Sequence, residues 1–192
     1  MKNIYIITIA LLSLVVIAGC SRPPEDIERA DIGDVTGSAI TQYTDEELDA
    51  IELTNEQKSF EFEGYGVGRS HVGTFTEHSV TVFYAQGSPV KINAVIYADS
   101  VSYSSERLVN HLKSEDFFHV EVYPTIEFSS LTLHEDTMTG DLTFLGVTRE
   151  ITIPLERTEN TIATNFLLDT EQFGMSYTGV NSEVRIAFEL EI

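Results

Sequence analysis

The 192-residue chain has one cysteine, no tryptophan and five prolines, and its 11 lysines and arginines face 31 acidic side chains. A single cysteine excludes an intramolecular disulfide and any multi-cysteine zinc or iron–sulfur site. The shortage of bases leaves a formal net charge of −20, which repels phosphate backbones, excludes nucleic acid as a partner and disfavours direct docking on anionic lipid. The five histidines, His71, His78, His111, His119 and His134, share no ligand spacing such as H-E-x-x-H, so no metal site is expected. G-x-S-x-G is missing too: Gly68-Arg69-Ser70-His71-Val72-Gly73 has the wrong spacing for a serine nucleophile. No glycine-rich phosphate loop precedes a helix. The reading is of a protein that is not an enzyme and needs no cofactor. Nor is there an apolar run long enough to span a bilayer, since Ile4–Val16 offers about thirteen residues where about twenty are needed.

That run, with Lys2 as its only flanking charge, has the form of a secretory signal, and its end carries the sole cysteine. Ile17-Ala18-Gly19-Cys20 resembles the lipobox of bacterial lipoproteins, which implies cleavage after residue 19 and acylation of the Cys20 sulfur. Two or three acyl chains, at about 0.8 kcal/mol per buried methylene, anchor a protein durably. Residues 1–19 are therefore expected to be a signal peptide. The mature protein is expected to be extracytoplasmic, on the outer membrane or the outer face of the cytoplasmic membrane. A plain signal peptide with an incidental Cys20 is the alternative, and an acylated Cys20 excludes a thiol enzyme.

Residues 20–57 are rich in acids and poor in aromatics and read as a solvated tether, or alternatively as a docking motif. Within them Thr44 and Glu47 have capping-box spacing for one helical turn. From Lys58 to the end the pattern is strict alternation: Phe60/Phe62, Val80/Val82/Tyr84, Val90/Ile92/Ala94/Ile96, Met138/Leu142/Phe144, Ile151/Ile153/Leu155, Ile162/Phe166/Leu168 and Val184/Ile186/Phe188/Leu190. Ile126 and Phe128 share a face while Leu131 and Leu133 have the opposite parity, so a bulge near Ser129-Ser130 is predicted. Turn signals at Gln86-Gly87, Glu135-Asp136, Leu145-Gly146 and Glu159-Asn160 separate the strands. The expected fold is all-β, an antiparallel barrel of eight or so strands, the count that can hold one small ligand. Ser104–Lys113 alone has helical spacing, with Leu108 and Leu112 one turn apart, and is expected to be a lid over a barrel mouth. The strand Ser79–Gln86 is apolar on both faces, which predicts a cover of helix or neighbouring strand.

After the helix comes Ser114-Glu115-Asp116-Phe117-Phe118-His119-Val120-Glu121-Val122-Tyr123-Pro124-Thr125-Ile126-Glu127-Phe128-Ser129-Ser130, and later Thr139-Gly140-Asp141-Leu142-Thr143-Phe144-Leu145-Gly146-Val147-Thr148-Arg149. With His111-Leu112-Lys113, Gly66–Phe75 and Phe173-Gly174-Met175, these segments resemble the YceI-like family over about residues 58–192. The resemblance implies a lipocalin-like barrel of eight strands with one short helix near a mouth, whose apolar interior takes a polyisoprenoid, as a quinone tail or a polyprenyl lipid. Phe117, Phe118, Phe128, Phe144 and Phe166 are the expected ligand-binding residues. Three departures stand out: His119 where the family has Asp, Lys58-Ser59 where it has His-Ser, and Thr170-Glu171-Gln172 where it often has an arginine. A missing arginine and a domain charge of −12 both point to a neutral ligand such as a quinone, unless Arg69, Arg107, Lys113 or Arg149 gather at the mouth. Two functions remain open. One is a membrane-anchored isoprenoid carrier. The other is a packed-barrel interaction or accessory module of an envelope stress or redox system. A cavity of roughly several hundred Å³ favours the first and a solid core the second. The sequence also leaves open whether the barrel forms a homodimer.

Overall fold

The computed structural model describes residues 21–34 and 48–192. Residues 1–20 and 35–47 lie outside it, and with them the expected signal peptide, Cys20 and the expected Thr44–Glu47 turn. Thirteen strands and one helix follow in the order β1 (Asp31–Gly33), β2 (Asp49–Glu52), β3 (Lys58–Gly66), β4 (Arg69–Phe75), β5 (His78–Ala85), β6 (Ser88–Tyr97), β7 (Val101–Ser102), α1 (Glu106–Lys113), β8 (Thr125–Leu133), β9 (Thr137–Phe144), β10 (Val147–Pro154), β11 (Glu156–Arg157), β12 (Thr161–Asp169) and β13 (Glu183–Glu191). Among the described residues nine strands have seven or more residues, against the eight expected, and four are short additions at sheet edges. All the ladders are antiparallel, in two sheets ordered β1-β10-β9-β8-β6-β5-β2 and β11-β12-β13-β3-β4-β7. This is the lipocalin-like architecture, with the alternating apolar residues of both sheets turned toward one interior.

The alternation is read out residue by residue. Val80, Val82, Met138 and Ile162 have no accessible surface, and Ile92, Ile151, Ile153 and Leu190 are nearly as buried. The Gln86-Gly87 and Leu145-Gly146 turns close two-residue hairpins, with both residues of each at positive φ, as the right-handed twist of the flanking strands requires. The predicted bulge occurs in β8, between Ser130 and Thr132. It leaves Leu131 without a ladder partner, so Ser130 stays buried and Leu133 packs on the core while Leu131 does not join it. A second bulge, opposite Phe83 and Tyr84, makes Val90 of β6 the extra residue. Along β5 the parity is unbroken: Val80, Val82 and Tyr84 pack on the core, and Phe83 lies on the other face under the Lys91 ammonium, 5.2 Å from the ring centroid. A helix covering this strand is therefore not needed.

The expectation of a solvated tether over residues 20–57 is corrected wherever those residues are described. Ser21 donates its backbone N–H to the Gly66 carbonyl at 2.9 Å. Ala30 donates to Leu167, Leu167 donates to Glu28, and β1 then pairs with β10, so this strap stitches β12 of one sheet to β10 of the other. Ala30 and Ile32 pack against the core and Arg29 forms an ion pair with Glu183. At the other end of the stretch β2 pairs with β5, and Leu53 is buried. The acidic composition concealed this because a short edge strand needs only a partner's free N–H and C=O groups and one or two buried side chains.

The two sheets are also joined through Lys58, whose buried ammonium donates to the Leu53 carbonyl at 3.0 Å and the His78 carbonyl at 2.7 Å. Two backbone acceptors fix a charge that burial would otherwise penalise, and that burial lowers the Lys58 pKa against the opposing pull of Glu52. Lys58→Met keeps the aliphatic stem but leaves both carbonyls without this donor. We expect it to lose about 1–3 kcal/mol of stability, measured by urea denaturation, whereas the surface change Lys91→Met stays within about 0.5 kcal/mol.

Candidate functional site

Between the sheets the side chains leave a cavity of about 180 Å³. It is smaller than the several hundred Å³ anticipated for a carrier, yet larger than the roughly 150 Å³ engineered apolar cavity that stays dry and accepts benzene. The interior is thus not a solid core. Phe60, Phe62 and Gly64 of β3, Val80 of β5, Ile92, Ala94 and Ile96 of β6, Phe128 of β8, Met138, Leu142 and Phe144 of β9, Ile151 and Ile153 of β10, Phe166 and Leu168 of β12, and Val184, Ile186, Phe188 and Leu190 of β13 form its wall. Leu112 at the end of α1, Phe117 and Phe118 after it, and Thr170, Met175 and Val180 complete it at one end. The five phenylalanines singled out from the sequence, Phe117, Phe118, Phe128, Phe144 and Phe166, all lie on this surface. Phe60, Phe62, Ile186 and Phe188 lie there too and were missed as site residues, although their parity already marked them as inward-facing.

Two glycines make the aromatic wall fit. A Cβ at Gly140 would stand 2.5 Å from Phe128 Cζ and 2.6 Å from the Ser129 carbonyl oxygen, and one at Gly73 would stand 2.5 Å from Phe62 Cζ. Each ring therefore lies flat on the bare backbone of the neighbouring strand. Phe118 closes one side of the interior through ring contacts with Phe62, Phe75 and Phe144, at centroid distances of 6.0, 5.4 and 6.1 Å. Phe144 continues the row to Phe173 at 5.9 Å.

The helix lies at this end, as expected, but with a different stripe: Val109 and Leu112 pack on the core, and Leu108 is half-buried beside them. Beyond Leu112, the rings of His111, Phe117 and Tyr177 stand 5.0–5.3 Å apart and cover a small recess. That recess shares Phe117, Thr170, Met175 and Val180 with the cavity and adds the polar groups of Glu171, Ser176, Asn181 and Ser182. This is the barrel mouth. Among the described residues the one charged side chain on the recess is Glu171, while Glu61 and Glu127 border the cavity but are exposed, with their carboxylates bonded to Arg185 and Thr125. Of the four cations that could have gathered there, Lys113 is paired with Asp99 at 2.8 Å and Arg149 with Asp34 at 2.6 Å, and neither Arg69 nor Arg107 lines cavity or recess. Among the described residues no group of three or more His, Cys, Asp or Glu side chains could hold a metal ion.

At the opposite, closed end Phe60 meets His78 edge-on at 5.0 Å. Both His78 ring nitrogens lack a hydrogen-bond partner. Burial, and then the Lys58 charge, lowers the His78 pKa from its ordinary 6.5; the Phe75 backbone pulls weakly the other way from outside hydrogen-bonding geometry. The folded protein therefore binds fewer protons at this site than the unfolded chain does. Stability is full above pH 6.5 and falls as pH drops through the depressed folded value. His71, whose pKa burial also lowers, adds to the same slope. We expect His78→Phe to flatten, without abolishing, the loss of melting temperature between about pH 7.5 and 5. An unchanged slope would show that His78 does not carry it.

Two sheets that enclose an apolar cavity, with a helix at one end, define a barrel of the lipocalin-like class. The comparisons narrow the class. The family model of the YceI-like domain matches residues 48–192, and the chain belongs to that family. A UPF0312 protein of Staphylococcus aureus is 34% identical over 97 residues, which are 50% of this chain and 56% of the relative; the match thus spans about half of either protein. Among solved structures, BcnA of Burkholderia cenocepacia aligns over 72% of this chain and 98% of its own with a TM-score of 0.63 at 17% identity. A polyisoprenoid-binding domain from Saccharophagus degradans, implicated in plant cell wall breakdown, aligns over 76% and 99% with a TM-score of 0.57 at 11% identity. The family match begins ten residues before the boundary drawn from the sequence, because β2 is part of the barrel.

Proposed function

We propose that this protein is an extracytoplasmic, non-catalytic lipid carrier, held to the membrane by acylated Cys20, which takes the chain of a neutral-headed isoprenoid into its barrel. The observation that carries the reading is the cavity, whose wall is hydrocarbon contributed by both sheets. Affinity then comes from burying methyl-branched chain at about 25 cal/mol per Å², with no need for directional bonds. The polyisoprenoid-binding domain of Saccharophagus degradans, on the same fold, supports the choice of chain. The choice of head group follows from charge. A pyrophosphate brought to the recess would meet Glu171 and no lining cation, whereas a quinone carbonyl can accept from Ser176, Ser182 or Asn181.

The deciding experiment is organic extraction of the purified protein followed by mass spectrometry. A stoichiometric isoprenoid is expected. An empty extract, still empty after incubation with quinones and polyprenyl lipids, would favour the packed-barrel accessory module instead. In competition, a quinone should displace a polyprenyl pyrophosphate at equal concentration, and the reverse order would sink the charge argument. Ala94 is buried on the cavity wall. Ala94→Phe should fill the space and reduce isoprenoid uptake at least about tenfold, with a melting temperature kept within a few degrees.

A further inference from the structure

We propose that the barrel mouth faces the bilayer in which the Cys20 lipid is embedded, so that ligand passes between membrane and cavity along a hydrocarbon route. This orientation rests on the anchored reading above, and it comes from where the chain preceding the domain joins it. Ser21 is pinned to the β3–β4 turn: its N–H donates to the Gly66 carbonyl at 2.9 Å, and its hydroxyl lies 3.0 Å from that oxygen and 2.8 Å from the Arg69 carbonyl. Pro23 is buried immediately afterwards, and the strap through Arg29 to β1 runs on across the two sheets. No slack intervenes between residue 20 and the barrel. Whatever holds residue 20 holds the protein by this turn.

The turn belongs to the mouth. Asn181, on the recess, donates its N–H to the Tyr65 carbonyl at 2.8 Å, and a Cβ at Gly179 would lie 3.3 Å from Val67 Cγ2. Tyr177, two residues from Gly179, stacks at 5.1 Å on Phe117, which lines both recess and cavity. The rim so formed has the composition of a bilayer contact. Val67 is 62% exposed and Tyr177 39% exposed, an apolar tip and an amphipathic ring of the type that settles at the lipid head groups. Arg22 and Arg69 flank the turn, exposed and with no ion pair among the described residues, while Arg29, Lys113, Arg149 and Arg185 are all paired with carboxylates. In so acidic a protein, unpaired arginines beside the anchor suit phosphate head groups. The covalent anchor overcomes the net repulsion that would keep an unanchored copy away.

The lack of tryptophan and of a second cysteine makes the orientation directly measurable. The chain from Cys20 onward is coupled through that thiol to a maleimide lipid in phosphatidylcholine vesicles with brominated acyl chains, once as Val67→Trp and once as Glu159→Trp. Glu159 precedes β12 at the end far from the mouth, a strand length of about 26 Å away. Bromine should quench the tryptophan of V67W at least about threefold more strongly than that of E159W, given that separation. Tyr177→Trp is a second rim reporter and should behave as V67W does. Equal quenching, or stronger quenching of E159W, would overturn the orientation. Chemical coupling keeps this result independent of the anchored reading, which is decided by the mass of the Cys20 peptide from cells expressing the full chain. Unmodified Cys20 would end the anchored reading, and acylated Cys20 with an unquenched rim would end the orientation alone.

Discussion

The packing of Phe118 organises the molecule. It lies on the segment after α1 that belongs to neither sheet, yet its ring meets Phe62 and Phe75 from one sheet and Phe144 from the other. Aromatic pairs at these distances add about 0.5–1.5 kcal/mol each beyond the area they bury. The ring thus holds α1 and its following loop onto the barrel, places Phe117 at the mouth, and forms the side of the cavity where the sheets converge. Large planar side chains joined edge to face hold two sheets apart without filling the space between them, which a core of close-fitting aliphatic residues would do.

The cavity survives because the remaining closures are made by backbone and polar groups. Lys58 ties β3 to Leu53 and His78, and the N-terminal strap ties β12 to β10. Neither closure places a side chain on the cavity wall. The bare backbones of Gly73 and Gly140 let Phe62 and Phe128 lie against the wall in place of projecting across it. A methyl group at either position would push the ring toward the centre and shrink the cavity.

How far the sequence disclosed this depended on the range of the interaction concerned. The inward faces were legible because period-2 alternation is local, and the five phenylalanines chosen from it and from the family segments all reach the cavity wall. The β8 bulge was legible because an extra residue is what shifts the parity of apolar positions within one strand. The β6 bulge was not, since Val90 keeps the parity of Ile92, Ala94 and Ile96 in the sequence. The strap and β2 were hidden for a different reason: Asp31–Gly33 and Asp49–Glu52 show no strand pattern of their own and are recruited by the open edges of β10 and β5. The small size of the cavity was beyond reach, because the same alternating residues describe a filled interior and a partly empty one.

The strap gives the acidic N-terminal stretch a meaning that composition concealed. Under the proposed anchoring, a flexible spacer would let the barrel tumble over the membrane with its mouth in any direction, and an apolar ligand leaving it would cross water. A segment hydrogen-bonded to the mouth turn at Ser21 and laid across both sheets up to Gly33 removes that freedom. The same residues that close the seam between the sheets thereby set where an anchor meets the barrel. Opening the seam would loosen both together, because a strap released from Leu167 and β10 neither closes the interior nor fixes the distance from residue 20 to the mouth.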